Sequence, residues 1–362
     1  MSSVNYMINH SPKWFKFMVL TLAFTGLSGI HAFASGESSF DVGKFTMEEV
    51  TDQHEWHIMD IGDKSVSIPL PVIVYSAHSG FHVFMSSKFE HGHAAYKRFE
   101  LGEKAPYEGK IIEKLDNGEL YVPWDFSITK VVIGLLLSVV ILLWIFLSVA
   151  KSMKAREGKT PKGIQNAMEP MITFVRDDVA IPCIGEAKYE RYMPYLLTLF
   201  FFILFNNIIG LIPVPPFGAN VTGNISITMC LAAFTFVLTS VSANKHYWKE
   251  IYNPDVPWWM KFPIPLMPFI ELLGLIIKPV VLMIRLFANI LAGHLVVAVF
   301  IALIFVFTNI MGATAGAGVS IFSVGLSVFI KLLDVLVAFI QAFVFTLLSA
   351  LYIGTAIQEH HS

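Results

Sequence analysis

Arg285, His294 and Asp334 are where this chain can do chemistry, because almost nothing around them is charged. From residue 268 to residue 357 the only charged side chains are Glu271, Lys278, Arg285, Lys331 and Asp334, with His294 and Gln341 as further polar groups. A charge near a bilayer centre costs at least about 2.5 to 3.5 kcal/mol on insertion scales, so such residues face a water cavity or a partner and mark ion paths. Snorkelling from a helix end to the headgroups is the alternative, and it suits Lys278, Glu271 and Lys331. It does not suit Arg285, set mid-block among Leu282, Met283, Ile284, Leu286 and Phe287. A guanidinium stays protonated above about pH 12, so Arg285 cannot relay protons. It can hold a fixed positive charge that lowers the proton affinity of a nearby carboxylate and opposes proton leakage past it. Glu271 is 14 residues upstream, about 21 Å along a straight helix, so the partner carboxylate is expected on another subunit.

Helical geometry sorts these groups into faces. At about 100° per residue Asn289 falls within roughly 40° of Arg285, while His294 points about 180° away. Asp334 and Gln341, seven apart, share a face of the following block, so His294 and Asp334 can meet between two helices as a titratable pair. An imidazole beside a carboxylate exchanges protons near neutral pH, as a path through a membrane requires; a purely structural ion pair is the alternative.

The elements that must position these residues are membrane spans. The chain is 55% apolar and 14% charged over 362 residues, with a mean hydropathy of +0.64, which excludes a water-soluble domain of this size. Net charge is −2, so no nucleic-acid partner is implied, and Cys183 and Cys230 lie far apart in segments read as cytoplasmic-side and membrane-embedded, which argues against a disulfide framework.

Residues 1–34 read as a cleaved signal peptide: Lys13 and Lys16, an uncharged stretch over 17–30, then Ala32-Phe33-Ala34. Residues 35–126, mixed in polarity, read as a small extracytoplasmic domain, with alternation at 66–70 and 72–75 predicting one or two short strands. Its histidines include His54, His57 and the pairs His78/His82 and His91/His93, which can ligate a metal or be ordinary surface groups; no cofactor is expected.

The run 128–149 carries one charge, Lys130, and its 22 residues suffice for a hydrocarbon layer of about 30 Å. Lys151, Lys154, Arg156, Lys159 and Lys162 follow against Glu157 alone, which marks the cytoplasmic side. No charge occurs over 195–244, and the Pro213, Pro215, Pro216 and Gly218 break divides that run into spans at 195–212 and 225–243. Two further apolar blocks, 268–308 and 319–357, are each a hairpin of two spans or one long tilted helix, and hydropathy alone does not choose.

The run Leu282-Met283-Ile284-Arg285-Leu286-Phe287-Ala288-Asn289-Ile290-Leu291-Ala292-Gly293-His294 resembles the signature of the a subunit (subunit 6) of F-type ATP synthases. Pro268-Phe269-x-Glu271, Lys278-Pro279, the stretch from Gln341 to Leu348 with Tyr352, and Asn207 ahead of Pro213 extend the likeness over roughly 125–360. The resemblance implies an all-α integral membrane domain at 127–362, with about five spans, the last two long and tilted, beside the small extracytoplasmic N-terminal domain. It implies a proton-conducting stator, with no catalysis of its own, in the bacterial inner membrane, its C-terminus cytoplasmic. Its partners would be the c-subunit ring, the b-subunit peripheral stalk and the lipid bilayer. Arg285 matches the family's essential arginine between two half-channels, with Asn289 beside it. Asn207, His294, Asp334 and Gln341 would line the inlet from outside, and Glu271 the outlet to the cytoplasm. Many members carry glutamate where His294 stands and histidine where Asp334 stands; the exchange keeps one acid and one imidazole. A secondary transporter would show internal repeats and a membrane enzyme a zinc helix, nucleophile elbow or Walker loop, and none is present.

Overall fold

A computed structural model describes residues 52–61, 64–92, 94–102, 107, 109–115, 118–156, 160–212, 218–252 and 266–358. The signal peptide expected at 1–34, His93 and the Pro213–Pro216 break lie outside these residues.

Among the described residues, eight short strands precede the first long helix: β1 (Glu55–Ile61), β2 (Lys64–Pro69), β3 (Pro71–Ser76), β4 (Gly80–Met85), β5 (Phe99–Leu101), β6 (Ile111–Lys114), β7 (Leu120–Tyr121) and β8 (Trp124–Asp125). The alternation at 66–70 and 72–75 falls on β2 and β3, whereas β5 to β8, of two to four residues each, are too short to stand out. β1 pairs with β2 in a two-stranded sheet. Separately, β4-β3-β8 and β5-β6-β7 form two antiparallel three-stranded sheets. Val72, Val74, Phe89, Phe99 and Ile111 make a buried core, with Phe84 edge-on to Phe89. Carboxylate and imidazole join at the base of this region, where His54 Nε2 donates to Asp125 Oδ2 across 2.9 Å.

Of the histidines weighed as metal ligands, His82 donates from its ring to the Ser79 carbonyl and His78 packs edge-on to Tyr121. No group of three or more His, Cys, Asp or Glu with metal-site geometry occurs among the described residues.

Helix α1 (Lys130–Ala155) is fixed to the strand region at its first turn. Thr129 caps it by accepting from the Val132 N–H, and the Val131 N–H donates to Asp52 Oδ1. Next come α2 (Ile164–Phe174), a π-helical segment (Val175–Ala180), α3 (Ile181–Ile184), α4 (Tyr189–Gly210), α5 (Ile225–Ser242), α6 (Lys245–Tyr252), α7 (Leu266–Met311) and α8 (Ala313–Ile357). Five of these, α1, α4, α5, α7 and α8, are long and apolar enough to cross a membrane. Each 40-residue block thus forms one helix: α7 has 46 residues, about 69 Å, more than twice the hydrocarbon thickness. Gly312, at φ +87°, turns α7 into α8. A Cβ on Gly316 would lie 2.0 Å from Thr308 Oγ1, so the two helices close up immediately after the turn.

Helix α4 is the centre of the bundle. Leu196, Phe200, Phe201 and Ile203 are wholly buried against Leu282 and Leu286 of α7 and Ala342 and Phe345 of α8. Phe174, Phe200, Phe339 and Phe343 stack with centroids 5.4–6.4 Å apart. Lipid tails are as apolar as leucine, so cohesion here comes from close packing and interhelical hydrogen bonds. Tyr195 and Thr235 share such a bond across 2.7 Å, and Thr235 meets Ser349 at 3.3 Å, linking α4, α5 and α8.

Candidate functional site

The antiparallel α7/α8 hairpin brings Asp334 level with the stretch around His294. Gly293 makes this possible, since a Cβ there would lie 2.8 Å from Asp334 Oδ1. The two titratable groups line one cavity with Asn206, Asn207, Asn220, Thr222 and Asn289. The space between them, about 10 Å³, is near what one water molecule needs.

Local hydrogen bonds aim the amides of this cavity. Thr222 Oγ1 donates to Asn207 Oδ1 across 2.5 Å, which turns Asn207 Nδ2 away from it. Asn220 Oδ1 accepts from the Gly223 N–H, freeing Nδ2, and Asn206 Nδ2 donates to the Phe202 carbonyl, freeing Oδ1. These three freed atoms and Asp334 Oδ2 are all buried without a partner. Two donors and two acceptors left open around a water-sized space can hold a water molecule.

Arg285 stands elsewhere. It is exposed, in an open groove of about 500 Å³ shared with Ala288, Asn289, Ala292, Gln341 and Val344. Among the described residues no carboxylate lies within ion-pair distance of it. The alanines leave the groove shallow enough for another helix to approach.

Asn289 lines both the groove and the cavity, so the two adjoin there. Gln341, grouped with Asn207, His294 and Asp334 by the family resemblance, lies in the groove with Arg285 instead. The hairpin explains this: Gln341 is one heptad beyond Asp334, about 10.5 Å along α8, and an antiparallel partner moves back by the same amount, towards Asn289 and Arg285. Lys278, expected to reach headgroups, has its Nζ 5.7 Å from the Tyr352 ring centroid.

The bundle has two chemically different ends. The cavity belongs to the end where α1 begins, since Ala219, next to Asn220, would clash with a Cβ on Gly134. At the other end Asn244 and Lys188 both donate to the Ile357 carbonyl. Glu271 belongs with that second end: burial, and after it the charge of Glu271, hold the Tyr247 phenol on α6 above its usual range. Glu271 and His294 are 23 residues apart, about 35 Å along α7, with Arg285 between them.

The structure thus brings together Asn207, Asn289, His294 and Asp334, sets Gln341 beside Arg285, and leaves Glu271 at the far end. The sequence analysis did not single out Asn206, Asn220 or Thr222. The available signal was their polarity inside the otherwise apolar, charge-free run 195–244.

Comparison with known proteins gives two family matches. The model described as ATP synthase A chain matches residues 132–354, and one described as a domain of unknown function matches residues 45–126. The chain is 42% identical over 259 residues to the ATP synthase subunit a of Chlorobium phaeobacteroides, covering 67% of this chain and 71% of the relative. It is 38% identical to ATP synthase subunit a 2 of Chlorobaculum tepidum, over 74% of this chain and 77% of that one. It is also 38% identical to the ATP synthase subunit a of Myxococcus xanthus, over 78% and 88%.

Proposed function

Because this chain belongs to the ATP synthase A chain family, we propose that it carries protons through the membrane sector of an F-type ATP synthase, loading and unloading the carboxylates of a rotating c-subunit ring. It is a multi-pass membrane subunit of that complex and is not itself the catalyst. The observation that carries the mechanism is the exposed Arg285, without a carboxylate of its own among the described residues, between a buried polar cavity on one side and Glu271 on the other.

In this reading a proton enters from outside through the cavity of Asn207, His294 and Asp334 and passes Asn289 to a ring carboxylate in the groove. Arg285 favours the ionised carboxylate there, so a carboxylate arriving protonated from the lipid gives up its proton towards Glu271 and the cytoplasm. Gln341, beside Arg285, holds the side-chain geometry of the exchange point. The fixed charge also blocks a direct leak between the two paths, so protons cross only when the ring turns.

The basic residues Lys151, Lys154 and Arg156 at the end of α1 support a reading with that end in the cytoplasm, the strand domain and the cavity on the opposite side, and the C-terminus inside. The b-subunit stalk would hold the chain still against the ring. The test is ATP-driven acidification of inverted vesicles carrying Arg285→Ala, with ATP hydrolysis assayed on the same vesicles. Pumping is expected to be lost in an assembled complex; wild-type pumping would overturn the stator reading and favour an independent transporter.

A further inference from the structure

Sheet β4-β3-β8 has one face packed on the buried core and the other left open. The open face is apolar throughout. Register sets it out in rows: Phe81, Tyr75 and Trp124 lie side by side across the three strands. Val83 and Ile73 form the next row with Phe126, whose N–H donates to the Ile73 carbonyl. Met85 and Pro71 form the third with Ile128, whose N–H donates to the Pro71 carbonyl. Phe81, Val83, Trp124 and Phe126 are each 59–67% exposed, and none of these nine residues is charged. Three aromatic rings so exposed, with Val83 and the half-exposed Tyr75 and Met85, present on the order of 500 Å² of apolar surface, at the upper end of what a soluble surface leaves open.

The position of this face identifies what covers it. The third row is two residues from Lys130, where α1 begins, and α1 crosses the membrane. The link is stiff: Ile73 N–H donates to Ser127 Oγ, Lys130 N–H to the Gln53 carbonyl and Val131 N–H to Asp52 Oδ1. Residues 131–150 are free of charge and span about 30 Å, so Lys130 sits at the hydrocarbon boundary. Successive rows are about 6.6 Å apart, so a sheet lying along the membrane plane keeps all three at headgroup depth. Tyrosine and tryptophan are the residues that favour this layer. On α1 itself the exposed Leu136, Val140, Leu143 and Leu147 form an apolar stripe suited to lipid.

We infer that the open face of β4-β3-β8 rests on the bilayer surface, with Phe81, Val83, Tyr75, Trp124 and Phe126 immersed among the lipid headgroups. The sheet thereby acts as an outrigger that fixes the start of α1, and with it the mouth of the cavity, against the membrane.

The test places nitroxide labels on the full chain in phosphatidylcholine/phosphatidylglycerol vesicles, at Phe81→Cys and Val83→Cys with Cys183 and Cys230 replaced by Ser. Collision with oxygen relative to a water-soluble nickel chelate is expected to be several-fold higher there than at the exposed reference Lys110→Cys. Ready access of nickel to both sites would put the face in water and overturn the inference. Exclusion of both reagents would show that protein covers it, through residues 1–51 or another chain, and would overturn it equally. Should the labelled variants fail to insert, the wild-type chain in vesicles with a photoactivatable lipid supplies the answer. Adducts within residues 71–85 and 120–128 are expected, and adducts on α1 without them would refute the docking.

Discussion

Replacing Thr222 by valine removes one hydroxyl and keeps the shape, and it tests whether the orientation of an amide controls the cavity. Thr222 and Asn207 are 1% and 3% exposed, and among the described residues the bond between them is the only hydrogen bond of the Asn207 side chain. Without the hydroxyl, Asn207 Oδ1 is buried and unpaired, at a cost of about 1–3 kcal/mol. Turning the amide over would only leave its NH₂ unpaired against the valine in turn, so the amide loses the bond that aims its NH₂ into the cavity that holds Asp334. If the cavity needs a donor at this position, the same 1–3 kcal/mol appears as a loss of proton conductance, about tenfold per 1.4 kcal/mol. The assay is the initial rate of ATP-driven acidification in inverted vesicles, normalised to assembled complex. Thr222→Val is expected to lower the rate roughly tenfold, and Thr222→Ser, which restores the donor, to recover most of it. Equal rates for Thr222→Val and the parent would refute the reasoning, as would equal losses for valine and serine.

Gly293→Ala places a Cβ 2.8 Å from Asp334 Oδ1, so the carboxyl must swing away from the cavity, and pumping should fall while the complex still assembles on a native gel. Gly354→Ala is expected to act on stability instead, because its Cβ would lie 1.9 Å from the backbone carbonyl of Cys183, which cannot rotate aside. A penalty of about 1–3 kcal/mol or more should appear as a lowered midpoint of thermal unfolding in detergent. In the strand region, burial raises the proton affinity of Asp125, but hydrogen bonds from His54 and Ser127 outweigh it and hold the carboxyl below its ordinary 3.8. The stability this contributes is fully present above that value and is lost as pH falls through the lower folded value. Thermal melts of the full chain between pH 2 and 6, followed by tryptophan fluorescence, should show a loss at the acid end that Asp125→Asn removes.

Much of the membrane architecture was legible in the sequence because lipid imposes a simple rule: a crossing helix must be long and nearly free of charge. That rule placed the spans, and the scarcity of charge between 268 and 357 singled out Arg285, His294 and Asp334 without any knowledge of their neighbours. Helical periodicity also put Asp334 and Gln341 on one face.

Tertiary structure decided what those faces meet. Periodicity fixes an angle about one helix axis but says nothing of the partner's direction or height, so only the antiparallel hairpin could put Asp334 with His294 and carry Gln341 to Arg285. Whether each 40-residue block is one helix or two depends on whether Gly312 is the sole reversal, and hydropathy is the same in both cases. Asn206, Asn220 and Thr222 became site residues only when the end of α4 and residues 219–224 packed against α7 and α8, because an uncharged polar group carries no signal of its own until its hydrogen-bond partners are known.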